Sequence, residues 1–141
     1  MAAFSANSPR PARKGKILIV DDEVGMRQLL KAILEADYFI TEADSGVALH
    51  LALQKEAPDV VLLDMNLPDA SGLRLLPVIR QRWPTTEVII LSGTPNDGGV
   101  KSCAAEAVRN GAFAFLSKSS EFSFPQVLDY VSSAVAHRCQ A

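Results

Sequence analysis

ILIVDDE, residues 17–23, decides how this chain folds. Four aliphatic side chains, Ile17 to Val20, run straight into Asp21, Asp22 and Glu23. An unbroken run of β-branched and leucine residues suits a strand covered on both faces. The following VGMRQLLKAIL has a helical period, with Met26, Leu29, Leu30, Ile33 and Leu34 assigned to one face. Adjacent carboxylates at the end of a core strand repel one another and resist desolvation, so something must neutralise them.

The same alternation continues along the chain. YFITEA reads as a second strand and SGVALHLALQKEA as a second helix. PDVVLLD is a third strand, again continuously apolar, and SGLRLLPVIRQRW a third helix. TEVIILS supplies a fourth strand, and a fourth helix lies within GGVKSCAAEAVRNG, stopped by Asn110-Gly111. AFAFLSK is the fifth strand and FPQVLDYVSSAVAHR the last helix. Five successive βα units imply an α/β fold, a doubly wound five-stranded parallel sheet with helices on both faces. Pro77 lacks an amide donor, so a late or kinked start of the third helix is expected.

With 141 residues, 48% hydrophobic and 21% charged, the chain has the composition of one globular domain. A net charge of −2 argues against general affinity for nucleic acid or anionic membrane. The four basic residues Arg10, Arg13, Lys14 and Lys16 precede all sixteen acidic ones. The small, polar, proline-containing residues 1–15 are expected to form a flexible basic leader, and residues 16–141 the folded domain. Cys103 and Cys139 are far apart, without a CxxC pair or zinc spacing, and read as reduced cysteines of a cytoplasmic protein. No apolar run approaches a bilayer-spanning length.

In a doubly wound sheet, side chains at the carboxyl ends of the strands converge on one edge, where ligands bind. That edge would collect Asp21 and Asp22 from the first strand, Asp64 from the third, Ser92 from the fourth and Lys118 from the fifth. Clustered carboxylates call for a cation, and a hard oxygen donor set suits Mg²⁺, which keeps several waters. The Lys118 ammonium would hold an anionic oxygen. Mg²⁺, a lysine and a hydroxyl beside an aspartate make a site for a phosphoryl group, and an aspartate can be its nucleophile.

These segments resemble the receiver domains of two-component response regulators. ILIVDDE is similar to their acidic-pair strand and VVLLDMNLPDASGL to their phosphoacceptor segment. IILSG resembles their hydroxyl-bearing strand end, and GAFAFLSKS their lysine strand. The resemblance covers about residues 16–138 and implies the flavodoxin-like strand order 2-1-3-4-5. It implies that Asp64 accepts a phosphoryl group from a phosphohistidine on a sensor histidine kinase or phosphotransfer protein. Asp22 would bind Mg²⁺ directly, Asp21 mainly through water, and Asn66 would offer its backbone carbonyl as a further ligand. Ser92 and Lys118 would each hold a phosphoryl oxygen. Phe115 stands where the family has its aromatic switch, and Asn66 and Thr94 where it tunes the lifetime of the phosphorylated state. The implied output is a reshaped face of the fourth helix, fifth strand and last helix. A downstream target, a fused output domain or a phosphorylation-dependent homodimer would read that face. The domain itself would contact neither nucleic acid nor membrane, and its chemistry would stop at its own phosphorylation and slow dephosphorylation.

Several positions depart from the family pattern. Ser119 follows Lys118 where a proline is usual, and a trans bond is expected because a cis bond without proline is costly. GTPNDGG, residues 93–99, is longer than usual, and would either alter the relay to the fourth helix or be a tolerated surface insertion. Phe115 lacks the hydroxyl of the family's frequent tyrosine. His50 and His137 have no carboxylate or cysteine near them in sequence and read as solvated helix residues. Three rival functions carry less weight. An aspartate-dependent phosphohydrolase resembling haloacid dehalogenases needs a second Asp where this chain has Asn66. A flavin module would not place DDEVG at its phosphate loop. A degenerate receiver, serving only as a docking surface, would not be expected to retain every chemical residue.

Overall fold

The computed structural model describes residues 14–93, 100–118 and 124–140, side chains at 100–102 and 138–140 excepted. Residues 1–13, Thr94 and the rest of the GTPNDGG segment beyond Gly93, Ser119 and the Cys139 side chain lie outside the described residues. Strands and helices alternate as β1 Gly15–Val20, α1 Val24–Leu34, β2 Tyr38–Ala43, α2 Gly46–Lys55 and β3 Val60–Asp64. Then come α3 Gly72–Arg82, β4 Glu87–Ser92, α4 Val100–Arg109, β5 Ala114–Ser117 and α5 Phe124–Gln140. The five strands pair in parallel in the order β2-β1-β3-β4-β5.

Strand periodicity divides the core into two layers. Ile17, Ile19, Val60, Leu62 and Ile89 face α1 and α5, where they meet Leu30, Leu34, Val127 and Val131. Leu18, Val20, Val61, Leu63 and Ile90 face the other way, against Leu49 and Leu53 of α2 and Leu76 and Ile79 of α3. Each strand side chain alternates between two covered faces, so β3 and β4 are buried along their whole length. The edge strand β2 is partly exposed.

Local chemistry sets the helix ends. Ser45 Oγ accepts from the Ala48 amide at 3.1 Å and starts α2. Ser71 Oγ does the same for Leu73 at 3.2 Å and starts α3. After α4 the chain turns at Gly111, whose φ of 99° favours glycine.

Two sequence expectations need correction, and a third, the solvated His137, gains a contact that sequence does not show. Helix α3 begins at Gly72, five residues before Pro77, so its start is not late. Ser71 closes the first turn, its carbonyl accepting from Arg74 and Leu75, before the missing Pro77 donor is reached. Leu29 does not share the packed face of α1 and is 50% exposed, because Leu30 and Leu34 already fill the strip over the sheet. His137 finds through the fold the carboxylate that sequence does not provide. Its Nδ1 lies 2.6 Å from Oε2 of the buried Glu87, while the ring remains largely exposed. Among the described residues, no helix is long and apolar enough to cross a membrane.

Candidate functional site

Register brings the polar strand ends together. Val20 pairs with Ala43 and Leu63, Asp64 with Leu91, and Ser92 with Ser117. The ladder runs one residue further, with amides of Asp21, Met65 and Lys118 donating to Ala43 O, Leu91 O and Ser92 O. Asp21, Asp64, Ser92 and Lys118 therefore lie on one edge although they are spread over 98 positions of the chain. No local signal could have brought them together; parallel pairing does it.

Asp21, 1% exposed, is held by both oxygens of its carboxylate. Its Oδ1 accepts from the Glu23 amide at 2.9 Å, and its Oδ2 from Lys118 Nζ at 2.6 Å. Asp64, 5% exposed, has Oδ1 at 3.6 Å from the same ammonium and 3.3 Å from the Asn66 amide that donates to it. Asp22 is exposed at the mouth, and Glu23, also exposed, occupies the N-cap of α1. Carboxylate oxygens of Asp21, Asp22 and Asp64 all lie within 4.8 Å of one another.

Burial is the largest influence on Asp64 and pushes its carboxyl above the ordinary carboxylate value. Lys118 opposes that rise, Asp21 adds to it, the Asn66 amide opposes it, and Asp22 adds a smaller push. One ammonium among three carboxylates leaves a surplus of two negative charges when all are ionised. A hard divalent ion matches both that surplus and the all-oxygen donor set, so these residues fit Mg²⁺.

Ser92 is buried at the end of β4, next to Lys118. Asn66 is exposed in the loop after β3, where it bridges to Ser71. Phe115, opposite Ile90 on β5, is partly buried and packs against the core layer under α2, α3 and α4. A groove of about 530 Å³ lies elsewhere, between β2 and α2, and is lined by residues such as Phe39, Thr41 and Leu51. An ion held by the carboxylates at the strand ends, two of them buried, would not need such a cavity.

The family model described as "Response regulator receiver domain" matches residues 17–129. The chain belongs to the response-regulator receiver family. Receivers of this family are regulatory domains that work with histidine kinases and bind Mg²⁺ at an acidic pocket. The chain is 31% identical over 126 residues to the DNA-binding transcriptional regulator NtrC of Proteus hauseri, covering 89% of this receiver and 25% of that protein. It is 35% identical over 106 residues to the transcriptional regulatory protein KdpE of Staphylococcus aureus, covering 74% and 44%. The receiver thus spans less than half the length of either relative. Among solved structures, the beryllofluoride-activated NtrC4 receiver domain dimer superposes with a TM-score of 0.78 at 27% identity, covering 87% of this chain and 98% of that one.

Two residues around this receiver's acidic edge are not recognisable from sequence. Arg27 of α1 donates from Nη1 to the Asp21 carbonyl at 2.6 Å and from Nε to Glu42 Oε1 at 3.1 Å. It braces the loop that carries the acidic pair. Asp69, in the loop after β3, accepts from the amides of Gly46 and Val47.

Proposed function

We propose that the chain is a phosphorylation-controlled switch that accepts a phosphoryl group on Asp64 from a phosphohistidine of a sensor histidine kinase or phosphotransfer protein. The meeting of Asp21, Asp22 and Asp64, with the Lys118 ammonium against two of them, carries this reading. In the transfer, an Asp64 carboxylate oxygen forms the new O–P bond while the donor's N–P bond breaks. The electron pair of that bond leaves on the imidazole nitrogen, which takes up a proton.

Asp21, Asp22, Asp64 and the backbone carbonyl of Asn66 are the proposed ligands of Mg²⁺. When bound, the ion supplies positive charge against the acidic cluster and the phosphoryl oxygens. Lys118 would exchange its contacts with Asp21 and Asp64 for a phosphoryl oxygen, and the Ser92 hydroxyl would donate to another. As Ser92 moves toward the phosphoryl group, Phe115 would turn inward and alter the face formed by α4, β5 and α5. A target that binds the altered face more tightly shifts the population toward it.

That target is a downstream protein, a fused output domain or a second copy of the chain. The greater length of NtrC and KdpE supports a fused domain, and the activated NtrC4 dimer supports self-association. A cytoplasmic location goes with such a partnership. Residues 16–141 would form the switching unit, with no activity beyond its own phosphorylation and slow dephosphorylation.

Incubation with Mg²⁺ and acetyl phosphate is expected to label one site, and beryllofluoride to perturb signals of Ser92 and Phe115. Asp64→Asn is expected to abolish the covalent label. Labelling that survives in that variant would refute the assignment.

A further inference from the structure

We infer that Asp69 is a positioning residue for the metal site, latching the loop that carries Asn66 to the amino terminus of α2. The inference rests on the proposed use of the Asn66 carbonyl as a ligand. Asp69 Oδ1 accepts from the Gly46 amide at 2.7 Å, and Oδ2 from the Val47 amide at 3.1 Å. Both amides belong to the first turn of α2, which has no acidic residue of its own there. Ser45 accepts from Ala48 instead, so α2 draws caps from two different loops. The Gly46 and Val47 bonds hold the Asp69 carboxyl below its ordinary value, with Gly46 the leading cause.

The approach is close. A Cβ at Gly46 would lie 3.2 Å from Asp69 Oδ1 and 3.3 Å from Ala70 Cβ. The base of the loop is pinned internally by Gly72 N–H to Met65 O at 2.7 Å and Leu67 N–H to Ala70 O at 3.0 Å. Asp69 ties its outer part to the neighbouring helix. A backbone carbonyl cannot be aimed by side-chain rotation, so the placement of the loop decides where the Asn66 carbonyl points. Without the latch, ion binding would have to order the loop as well as fill the site.

The test measures Mg²⁺ affinity by calorimetry, beside thermal melts, on the full chain and three variants. Asp69→Ala is expected to weaken Mg²⁺ binding about tenfold, the scale seen when groups supporting metal ligands are removed. Asp69→Asn keeps one acceptor oxygen and is expected to fall between wild type and alanine; it also carries the comparison if the alanine variant does not fold. Ser45→Ala removes the other cap of α2, and is expected to lower Tm while keeping wild-type Mg²⁺ affinity. Wild-type affinity in both Asp69 variants would overturn the inference. An equal loss in Ser45→Ala would also overturn it, because Asp69 would then be only a helix cap. A wild-type chain that takes up no Mg²⁺ would instead overturn the proposed function, a result separable from the other two.

Discussion

Lys118 Nζ donates to Asp21 Oδ2 at 2.6 Å, joining two residues 97 positions apart. Their side chains are 9% and 1% exposed, so water cannot readily replace either partner. Removing one member of a buried ion pair leaves the other charge uncompensated, at a cost of about 3–5 kcal/mol. Lys118→Met is expected to lose stability on that scale in urea unfolding without Mg²⁺, and to recover part of it when Mg²⁺ saturates the site. A wild-type midpoint in the metal-free variant would contradict the pairing.

Asp64 bears the opposite burden. Burial and its acidic neighbours raise its carboxyl above the ordinary carboxylate value, so the folded chain holds that proton more tightly than the unfolded chain. The resulting stability is fully present below the unfolded pKa and is lost as pH rises through the folded one. At neutral pH the ionised group therefore destabilises the metal-free fold. Asp64→Asn is expected to melt higher than wild type without Mg²⁺, and to gain less than wild type when Mg²⁺ is added. Scanning calorimetry with and without the ion reads both effects.

Gly72 marks the place where α3 starts against the end of β3. A Cβ there would sit 2.6 Å from the Asp64 carbonyl oxygen and 3.0 Å from Met65 Cα. Both are backbone atoms and cannot rotate away. Gly72→Ala is expected to destabilise the fold by about 1–3 kcal/mol, as overpacking does, and to weaken Mg²⁺ binding by displacing Asp64. Urea titration combined with calorimetry checks the two together, and unchanged values would show that the loop absorbs the methyl.

Asp69 supplies an acid limb. Its carboxyl is held below 3.8, chiefly by the Gly46 amide, so its contribution is present above the unfolded pKa and is lost as pH falls through the folded one. The stability difference between wild type and Asp69→Asn is expected to be largest near neutrality and to shrink in acid. Urea unfolding at stepwise lower pH measures it; a difference that persists undiminished in strong acid would contradict the latch.

Much of this architecture is legible one segment at a time. VVLLD and EVIILS are continuously apolar because both faces of β3 and β4 are covered, a property carried by the side chains themselves. Asp64, Ser92 and Lys118 stand out as candidate site residues because each stands at the end of such a run, and parallel topology leaves one edge for all three. Leu29 misleads because helical period alone does not say how wide a strip the sheet covers. Pro77 misleads because propensity is judged without the Ser71 cap that closes the turn before it. The Glu87–His137 contact joins β4 to α5 across 50 positions and has no local signature.

From the order of its residues alone, this chain specifies five strands, the helices between them and the chemical groups at the strand ends, since these follow from short-range periodicity and chain direction. Only the folded arrangement decides which of those groups touch. Lys118 pairs with Asp21 more closely than with Asp64, Arg27 grips the Asp21 carbonyl, and Asp69 reaches the first turn of α2. Contacts of a few ångströms depend on strand register, sheet twist and loop path acting together, and none of those is a property of any one segment.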